Sequence, residues 1–370
     1  LNTYYIMLTF PRYSNDYLPK PGELNQLALR LKMKLSNLLW EEIQSKSNTE
    51  LSSILKQVPD FYIGHATAIY NKNIPLDQSI SQLFKESEKS AHLQKINYLE
   101  KTKELFQFLI QSKKILTPHF QGIFNIKNLT LGEIEACNRQ RTIRPIMKHI
   151  HGFEALIRIN KKRAQMLLDK ETKNHFSLKF LQPEILFKLS KLVNLSLELD
   201  QACLRQALRY YKKIPYILFA NILPRNCYNV DRVIDKIPND IQLTFEISET
   251  EVIRNYGIIK EIRNNFINTK YSIAIDDFGK EFAGINRILK IKPDVIKIDS
   301  DLIHNIHKDP VKREFVRGII NATKGGSTLL LAEGVERIEE FKELKKLGIQ
   351  LVQGFLLHKP QSPTTLFKEI

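Results

Sequence analysis

Polar and charged side chains interrupt or close a series of short apolar segments in the second half of the sequence. They are Glu154, Asn221, Glu246, Asp276, Asp277, Lys297, Glu333 and Gln353. A charge inside an apolar strand is costly unless it is paired or bound to a cation, and a buried salt bridge explains any one of these positions alone. Eight such residues on seven successive strands instead indicate a shared site, because late residues of parallel barrel strands meet at one mouth.

The chemistry of this set is that of hard divalent cations. Five of the eight residues are carboxylic acids, which would repel one another at neutral pH if they lay together. Divalent cations relieve such repulsion, and oxygen-only ligands suit Mg²⁺ or Mn²⁺. The set contains no His or Cys, which argues against zinc. Two ions can bind a phosphodiester and lower the pKa of an attacking water, so the residues predict a metal-dependent barrel that acts on phosphoesters or sugars.

The elements that must position these residues alternate between strand and helix. Short apolar runs predict strands near residues 119–126, 152–159, 216–223, 241–248, 271–276, 294–298, 328–332 and 351–357. Helical patterns lie between most of them. Such alternation over roughly 250 residues is typical of a TIM-like (β/α)8 barrel, with an open doubly wound sheet as the alternative. No GxGxxG motif follows a strand, so a dinucleotide-binding Rossmann domain has no support.

Residues 1–96 predict a smaller mixed α/β domain ahead of the barrel. The elements predicted in it are strands at 4–10 and 61–70 and helices at 23–43 and 77–95. A helical connector is expected over residues 97–116, and its helix is predicted at 98–112. The barrel domain then covers residues 117–370.

Cysteine content and hydropathy together predict a cytoplasmic protein. Cys137, Cys203 and Cys227 are odd in number and lack the spacing of a metal site, so we expect three reduced, buried thiols. The longest apolar runs are too short to span a bilayer, and no signal peptide is visible. Because the sequence begins at Leu1 and not at Met, membrane contact is expected only through an upstream segment outside it.

The sequence is strongly basic, with 56 Lys and Arg against 40 Asp and Glu and a formal net charge of +16. The excess is concentrated in residues 119–213, which carry 18 basic and 8 acidic side chains. No aromatic-interleaved RNA-binding motif, zinc finger or glycine-rich phosphate loop accompanies these charges, so neither DNA nor RNA is expected as a partner. A solvated basic face and the steering of a small anionic ligand are the two explanations.

Seven short motifs surround the polar residues of the barrel domain. They are Glu154-Ala155-Leu156 with Arg158, Asn221 within Phe-Ala-Asn-Ile-Leu-Pro, Glu246-Ile-Ser-Glu249, Asp276-Asp277-Phe278-Gly279, Lys297-Ile298-Asp299, Ala332-Glu333-Gly334-Val335-Glu336 and Gln353-Gly354-Phe355. Any one of these motifs is weak, whereas seven in this order are highly specific. Together they resemble the motifs of the EAL-domain cyclic di-GMP phosphodiesterase family over residues 117–370.

The resemblance implies a TIM-like barrel that cleaves cyclic di-GMP to linear pGpG with two Mg²⁺ or Mn²⁺ ions. The metal ligands that it implies are Glu154, Asn221, Glu246, Asp276 and Asp277. Asp277 also helps to orient water, and Lys297 holds the nucleophilic water or the scissile phosphate. Glu333 anchors a water at the metals, and Gln353 supports the site from the last strand. The family commonly forms pairs of barrels, so a homodimer is expected.

The resemblance also implies residues around the substrate. The implied substrate-binding positions are Gln121, Arg158, Asp299 and Glu336, with Arg158 on a phosphate. Glu249 belongs with the catalytic residues, because the family position steadies the loop after Asp277. For Glu249 and Glu336 the alternative is an acid at a helix N-terminus, favoured by the helix dipole.

Three features depart from the family pattern. After Gly279 the family loop usually has a small residue and a second glycine, whereas this sequence has Lys280 and Glu281. The missing glycine restricts the backbone and Lys280 adds a charge, which favours altered activity or regulation. On the first strand, Phe120-Gln121-Gly122-Ile123 approximates the family's Gln-Pro-Ile, and Arg144-Pro145-Ile146 is a poorer competitor. The N-terminal domain faintly resembles a GGDEF cyclase domain but lacks the GGDEF sequence, so it should not synthesise cyclic di-GMP.

Three functions stay open at this point. An active cyclic di-GMP phosphodiesterase is favoured by the retention of every metal-site position. A receptor that binds cyclic di-GMP without turnover and signals through the N-terminal domain is favoured by Lys280 and Glu281, although so many unneutralised acids would be costly without a catalytic use. A protein-interaction scaffold is suggested by the basic residues 119–213 and predicts no nucleotide binding.

Overall fold

The structure of this chain, a computed structural model, describes residues 76–112, 115–167, 183–210, 213–228, 230, 242–267, 269–279 and 290–370. The chain divides into two compact units, Leu1–Lys101 and Thr102–Ile370. The elements predicted at 4–10, 23–43 and 61–70 lie outside the described residues, as do Lys280 and Glu281. The helices predicted separately at 77–95 and 98–112 form one helix, α1, Leu76–Gln111.

Eight strands close into a barrel in the order in which they occur in the sequence. Their bounds are β1 Leu116–Asn125, β2 Ile150–Ile159, β3 Ile217–Asn221, β4 Leu243–Ser248, β5 Tyr271–Phe278, β6 Val295–Ile298, β7 Leu329–Ala332 and β8 Leu351–Val352. The predicted barrel is therefore confirmed, and the open doubly wound sheet is excluded.

The first strand runs in the opposite direction to the other seven. β1 is antiparallel to both of its neighbours, β2 and β8, whereas the pairs from β2 round to β8 are parallel. The expectation of a uniformly parallel barrel was therefore wrong. Gln121 on β1 still pairs directly with Glu154 on β2, so the reversed strand brings its amide to the same place.

Helices lie between most of the successive strands in the described parts of the chain. Those in the described residues after α1 are α2 Leu131–Gln140, a 3-10 helix Arg144–His149, α3 Lys161–Leu167, α4 Pro183–Leu192, α5 Ser196–Leu208, α6 Pro224–Tyr228, α7 Glu249–Arg254, α8 Tyr256–Phe266, α9 Ser300–Ile303, α10 Pro310–Thr323, α11 Ile338–Leu347 and α12 Pro363–Leu366. Local chemistry sets several ends: Thr130 and Glu133 form a capping box on α2, and Gly348 ends α11 with a φ of 94°. None of the described helices combines the length and apolarity that a bilayer crossing requires.

Strand residues alternate between two buried apolar clusters, because successive side chains point to opposite faces. The larger cluster contains Phe245, Ile273 and Leu330 together with residues from α8 and α11, such as Phe266 and Leu344. The smaller cluster is built from strand residues alone and consists of Ile123, Phe219, Ala274, Val295, Leu331 and Leu351. Burying each large apolar side chain contributes about 1.5–3 kcal/mol, so both faces of the strands stabilise the barrel. The smaller cluster is the apolar floor beneath the polar residues.

Candidate metal centre

The polar residues lie one step beyond this apolar floor on the same face of their strands. Six of them stand two positions from a floor residue, which is the strand period. The pairs are Gln121 with Ile123, Asn221 with Phe219, Asp276 with Ala274, Lys297 with Val295, Glu333 with Leu331 and Gln353 with Leu351. Because β1 is reversed, its polar residue precedes the floor residue instead of following it. Strand alternation alone therefore gathers these side chains into one layer.

Lys297 lies at the centre of this layer with its side chain only 1% exposed. Its Nζ is 2.7 Å from Glu246 Oε1, 2.9 Å from Asp276 Oδ1, 2.9 Å from Glu333 Oε1 and 3.6 Å from Glu154 Oε1. The four carboxylates come from β2, β4 and β5 and from the residue after β7, far apart in the sequence. One ammonium group thus faces four acids, and the site has an excess of negative charge.

Amide side chains hold two of these acids in fixed positions. Asn221 Nδ2 donates to Glu246 Oε2 at 3.0 Å and to Glu154 Oε1 at 3.4 Å. Gln353 Nε2 donates to Glu154 Oε2 at 2.6 Å and to Gln121 Oε1 at 3.1 Å. Hydrogen bonds to a carboxylate orient it before any ligand arrives, so the amides preorganise Glu154 and Glu246.

The consecutive acids Asp276 and Asp277 are brought to the same side by an irregular backbone. The β5–β6 register shifts between Ile275 and Phe278, and Asp277 has a φ of 57° in the left-handed region. Such a bulge re-aims side chains that would otherwise point to opposite faces. Oxygens of Asp276, Asp277 and Glu333 consequently all lie within 4.8 Å of one another. Opposite ligands of one Mg²⁺ are about 4.2 Å apart, so this trio is close to the spacing that a cation needs.

Glu249 fixes the chain just beyond this bulge. The side chain is 2% exposed, and its Oε2 accepts a hydrogen bond from Gly279 N at 3.0 Å. Gly279 has a φ of 110°, and a Cβ there would clash with Leu302 Cδ1. The link between Glu249 and the segment after Asp277 matches the location that the resemblance implied, while its catalytic role stays a prediction.

Burial and crowding govern the protonation of the acids. Burial raises the pKa of Glu246 well above its ordinary value; the charge of Glu154 adds to the rise and Lys297 opposes it. Burial also raises the pKa of Glu333 to about 8, against the attraction of Lys297. Burial alone would lower the pKa of Lys297, but the four carboxylates outweigh it and the pKa is raised. The Lys297 ammonium therefore stays charged. Its single positive charge does not neutralise the acids around it, which favours the binding of a further cation.

Three buried oxygens in this site, Glu246 Oε1, Asp276 Oδ1 and Gln353 Oε1, accept no hydrogen bond of regular geometry among the described residues. Glu246 Oε1 and Asp276 Oδ1 form ion pairs with Lys297 Nζ, at 2.7 and 2.9 Å. Each carboxylate oxygen has two lone pairs, so both oxygens can accept a further partner besides the ammonium. The donor set around them is carboxylate and amide oxygen. These residues fit a hard divalent cation such as Mg²⁺ or Mn²⁺.

The implied substrate residues are less closely gathered. Arg158 Nη1 donates to Ile157 O, and Glu336 is exposed; neither forms an ion pair or hydrogen bond with the acids within the part of the chain that the structure describes. Asp299 is buried and caps α9 by accepting from Asp301 N at 2.8 Å. Gln121 does belong to the layer, through Gln353. The roles of all four toward a substrate stay predictions.

Sequence reasoning missed two buried residues that support this layer. His358 accepts a hydrogen bond from Gly122 N at 2.8 Å, and its carbonyl accepts from Gln121 Nε2 at 2.9 Å. Asp200 on α5 accepts from Leu223 N and from Asn226 Nδ2, just after β3. The sequence could have indicated Asp200, because it is an acid among the apolar residues of a helix. No sequence pattern could have indicated His358, because it lies in an irregular turn.

Curated relatives match parts of this chain. It is 31% identical over 147 residues to the blue light- and temperature-regulated antirepressor BluF of Escherichia coli, which is 38% of this chain and 36% of that protein. It is 32% identical over 131 residues to the cyclic di-GMP phosphodiesterase PdeR of Escherichia coli, covering 35% and 19%. It is 28% identical over 189 residues to the cyclic di-GMP phosphodiesterase PdeA of Borreliella burgdorferi, covering 48% and 28%. The chain thus spans between 19% and 36% of the length of these three relatives.

Solved structures share the barrel. The EAL enzyme Bd1971, bound to cAMP and cyclic di-GMP, superposes with a TM-score of 0.57 at 21% identity, covering 81% of this chain and 75% of that one. BlrP1 of Klebsiella pneumoniae, in a complex with manganese and cyclic di-GMP, superposes with a TM-score of 0.51 at 23% identity, covering 67% and 56%. At these identities the likeness is one of fold.

The family assignment rests on a profile that describes the barrel domain. The profile of the EAL domain matches residues 107–360, which is more than half of the chain. The matched range contains all eight strands and every acid around Lys297. This chain therefore belongs to the EAL domain family.

Proposed function

We propose that this chain hydrolyses cyclic di-GMP to linear pGpG with Mg²⁺ or Mn²⁺. The observation that carries the proposal is the buried Lys297 ammonium, which lies within 2.9 Å of Glu246, Asp276 and Glu333 and 3.6 Å from Glu154. Membership of the EAL family and relatives named as cyclic di-GMP phosphodiesterases support the choice of substrate.

The reaction joins water to one phosphorus of the cyclic dinucleotide and breaks the bond from that phosphorus to the 3′-oxygen. The product pGpG then carries a 5′-phosphate and a free 3′-hydroxyl. Bound divalent cations would supply stabilisation of the phosphate charge and a lower pKa for the attacking water. The residues that would hold such cations are Glu154, Asn221, Glu246, Asp276 and Asp277.

The remaining side chains orient the reactants. The Lys297 ammonium offers a fixed positive charge to a phosphate oxygen or a hydrogen bond to water, in a setting from which bulk water is excluded. The Glu333 carboxylate, next to Asp276 and Asp277, accepts a hydrogen bond from water and so holds it near the acids. Gln353 keeps Glu154 in its orientation through the 2.6 Å hydrogen bond.

The test is turnover of cyclic di-GMP by purified protein with Mg²⁺ or Mn²⁺, followed by chromatography of pGpG. Glu154→Gln keeps the size of the side chain and removes its charge, so it should abolish product formation. Glu261→Gln on the exposed face of α8 is the matched control and should leave the rate unchanged. Absence of pGpG from the wild type, or equal rates in the wild type and Glu154→Gln, would contradict the proposal.

A cyclic di-GMP receptor without turnover is the second candidate. It is favoured by Lys280 and Glu281 in a loop where the family usually has a small residue and a glycine. One matched relative is named an antirepressor and not a phosphodiesterase, which also supports a regulatory role. Calorimetry separates the two candidates, because binding of cyclic di-GMP in the presence of Mg²⁺ without pGpG would identify a receptor. Glu281→Gly should then restore turnover if the loop acts as a brake.

A further inference from the structure

His358 connects β1 to the turn that follows β8. The residue is 3% exposed and lies six positions after β8, in a turn where its own N donates to Gly354 O at 3.0 Å. Its Nδ1 accepts a hydrogen bond from Gly122 N at 2.8 Å, and its carbonyl oxygen accepts from Gln121 Nε2 at 2.9 Å. One residue thus holds two consecutive residues of β1, one through the ring and one through the backbone.

The hydrogen bond from Gly122 N sets the tautomer of the His358 ring. A backbone N–H can only donate, so Nδ1 must be the acceptor and the ring proton must lie on Nε2. Burial lowers the pKa of His358 to about 4, although Glu369 and Gln361 oppose the shift, and the ring is therefore neutral near pH 7. The ring also packs edge-on against Phe153, with centroids 6.2 Å apart. His358 therefore contacts β2 next to Glu154 as well as β1.

A continuous chain of hydrogen bonds leads from this turn to the acids. Gln121 is held by the His358 carbonyl, and its Oε1 accepts from Gln353 Nε2 at 3.1 Å. The same Gln353 Nε2 donates to Glu154 Oε2 at 2.6 Å. The Gln353 backbone is itself fixed, because its N donates to Ala332 O at 2.9 Å. The orientation of Glu154 therefore depends on Gln121, and that of Gln121 on His358.

We propose that His358 is a positioning residue for the metal site, which acts by clamping Gly122 so that Gln121 and Gln353 hold Glu154 in its metal-binding orientation. The proposal rests on the proposed function, since it assumes that Glu154 binds a divalent cation. It assigns His358 no contact with substrate or metal. Direct hydrogen-bond partners of metal ligands typically contribute about 10–100-fold to metal affinity, so we expect about tenfold for a residue that acts through two intervening amides.

Two variants test separately the hydrogen-bond acceptor and the aromatic ring of His358. His358→Asn places an amide oxygen near the position of Nδ1 and so keeps an acceptor for Gly122 N, while it loses the ring. His358→Phe keeps a ring against Phe153 but has no acceptor. Mn²⁺ affinity, measured by electron paramagnetic resonance of free Mn²⁺ without nucleotide, should fall about tenfold in His358→Phe and stay near the wild-type value in His358→Asn. The melting temperature of each variant is recorded in parallel.

Equal Mn²⁺ affinity in His358→Phe and the wild type would overturn the proposal. Equal losses in His358→Asn and His358→Phe would also overturn it, because the ring and not the acceptor would then matter. If His358→Phe does not fold, Gln121→Met interrupts the same chain one step nearer Glu154, and unchanged Mn²⁺ affinity in that variant overturns the proposal. Mn²⁺ binding without pGpG would contradict the phosphodiesterase alone, whereas a wild type that binds no Mn²⁺ would overturn both.

Discussion

Lys297 Nζ lies 2.7 Å from Glu246 Oε1, and both side chains are almost fully buried. The pair is one contact of a cluster in which Asp276 and Glu333 approach the same ammonium. A buried ion pair adds little net stability, because the cost of removing both charges from water offsets their attraction. Removal of one partner is nevertheless destabilising, because it leaves a buried charge without a partner. Lys297 therefore has two separable effects, one on the stability of the empty site and one on the reaction.

Lys297→Met should destabilise the metal-free protein and lower turnover while it spares metal binding. Loss of the ammonium leaves several buried acids without a cation, so the free energy of unfolding should fall by about 3–5 kcal/mol. Addition of Mn²⁺ should recover much of this loss. Denaturant unfolding with and without Mn²⁺ measures both effects, with exposed Lys342→Met as the control. Loss of Mn²⁺ binding in Lys297→Met would show that the lysine organises the ligands instead of acting on the substrate.

Glu246→Gln and Asp276→Asn should abolish metal affinity and turnover together. Each substitution keeps the shape of the side chain but replaces a carboxylate that pairs with Lys297, and that would bind a cation, by a neutral amide. The loss of Mn²⁺ affinity should exceed about 100-fold, the upper end of the effect of a mere supporting residue. Calorimetric Mn²⁺ titrations and pGpG formation are compared with Glu261→Gln. Turnover lost with metal affinity intact would mean that these acids act on water and not on cations.

Most of the site could be predicted because charged residues are conspicuous in apolar strands. Glu246 and Lys297 each break a run of buried residues, and the strand period of two puts them on the face of the apolar floor. This period does not indicate the direction of a strand, because side chains alternate in the same way in antiparallel and parallel strands. The reversal of β1 was therefore missed, although Gln121 was assigned to the site.

Two other features depend on backbone irregularity, which periodicity does not encode. Regular alternation would send Asp276 and Asp277 to opposite faces, and only the register shift and the left-handed φ of Asp277 bring both toward Glu333. His358 follows a two-residue strand in a turn, where no pattern separates a buried histidine from a solvated one. The central position of Lys297 among four acids likewise required the closed barrel.

Gly279→Ala should disturb the site more than its small change in volume suggests. The residue has a φ of 110°, which side chains rarely adopt, and the new methyl group would meet Leu302. Because Gly279 N also donates to Glu249, the strain should displace Asp277 and lower both stability and Mn²⁺ affinity. Gly257→Ala in α8 is the control, since a Cβ there meets nothing within 4 Å and should be neutral or stabilising. Equal unfolding curves and Mn²⁺ affinities for the two variants would show that this segment tolerates a side chain.

Asp200→Asn should change how stability depends on pH. Burial raises the pKa of Asp200 to about 6 from 3.8, although hydrogen bonds from Asn226 and Leu223 oppose the shift. A carboxyl with a raised pKa binds its proton more tightly when folded, so its contribution is present below pH 3.8 and is lost as the pH rises through about 6. Relative to the asparagine variant, the wild type should therefore lose roughly 2 kcal/mol between pH 4 and 6.5.

Denaturant unfolding of both proteins across this range measures the difference. Both hydrogen bonds reach the same oxygen, Asp200 Oδ2, so the asparagine carbonyl can accept them and keep the turn after Asn221 in place. The variant should then bind Mn²⁺ as the wild type does. A stability difference that stays constant from pH 4 to 6.5 would mean that Asp200 is ionised throughout, with its burial fully compensated by its two donors. In that case the carboxylate would act as a permanent charge that ties α5 to the turn, and the asparagine would be destabilising at every pH.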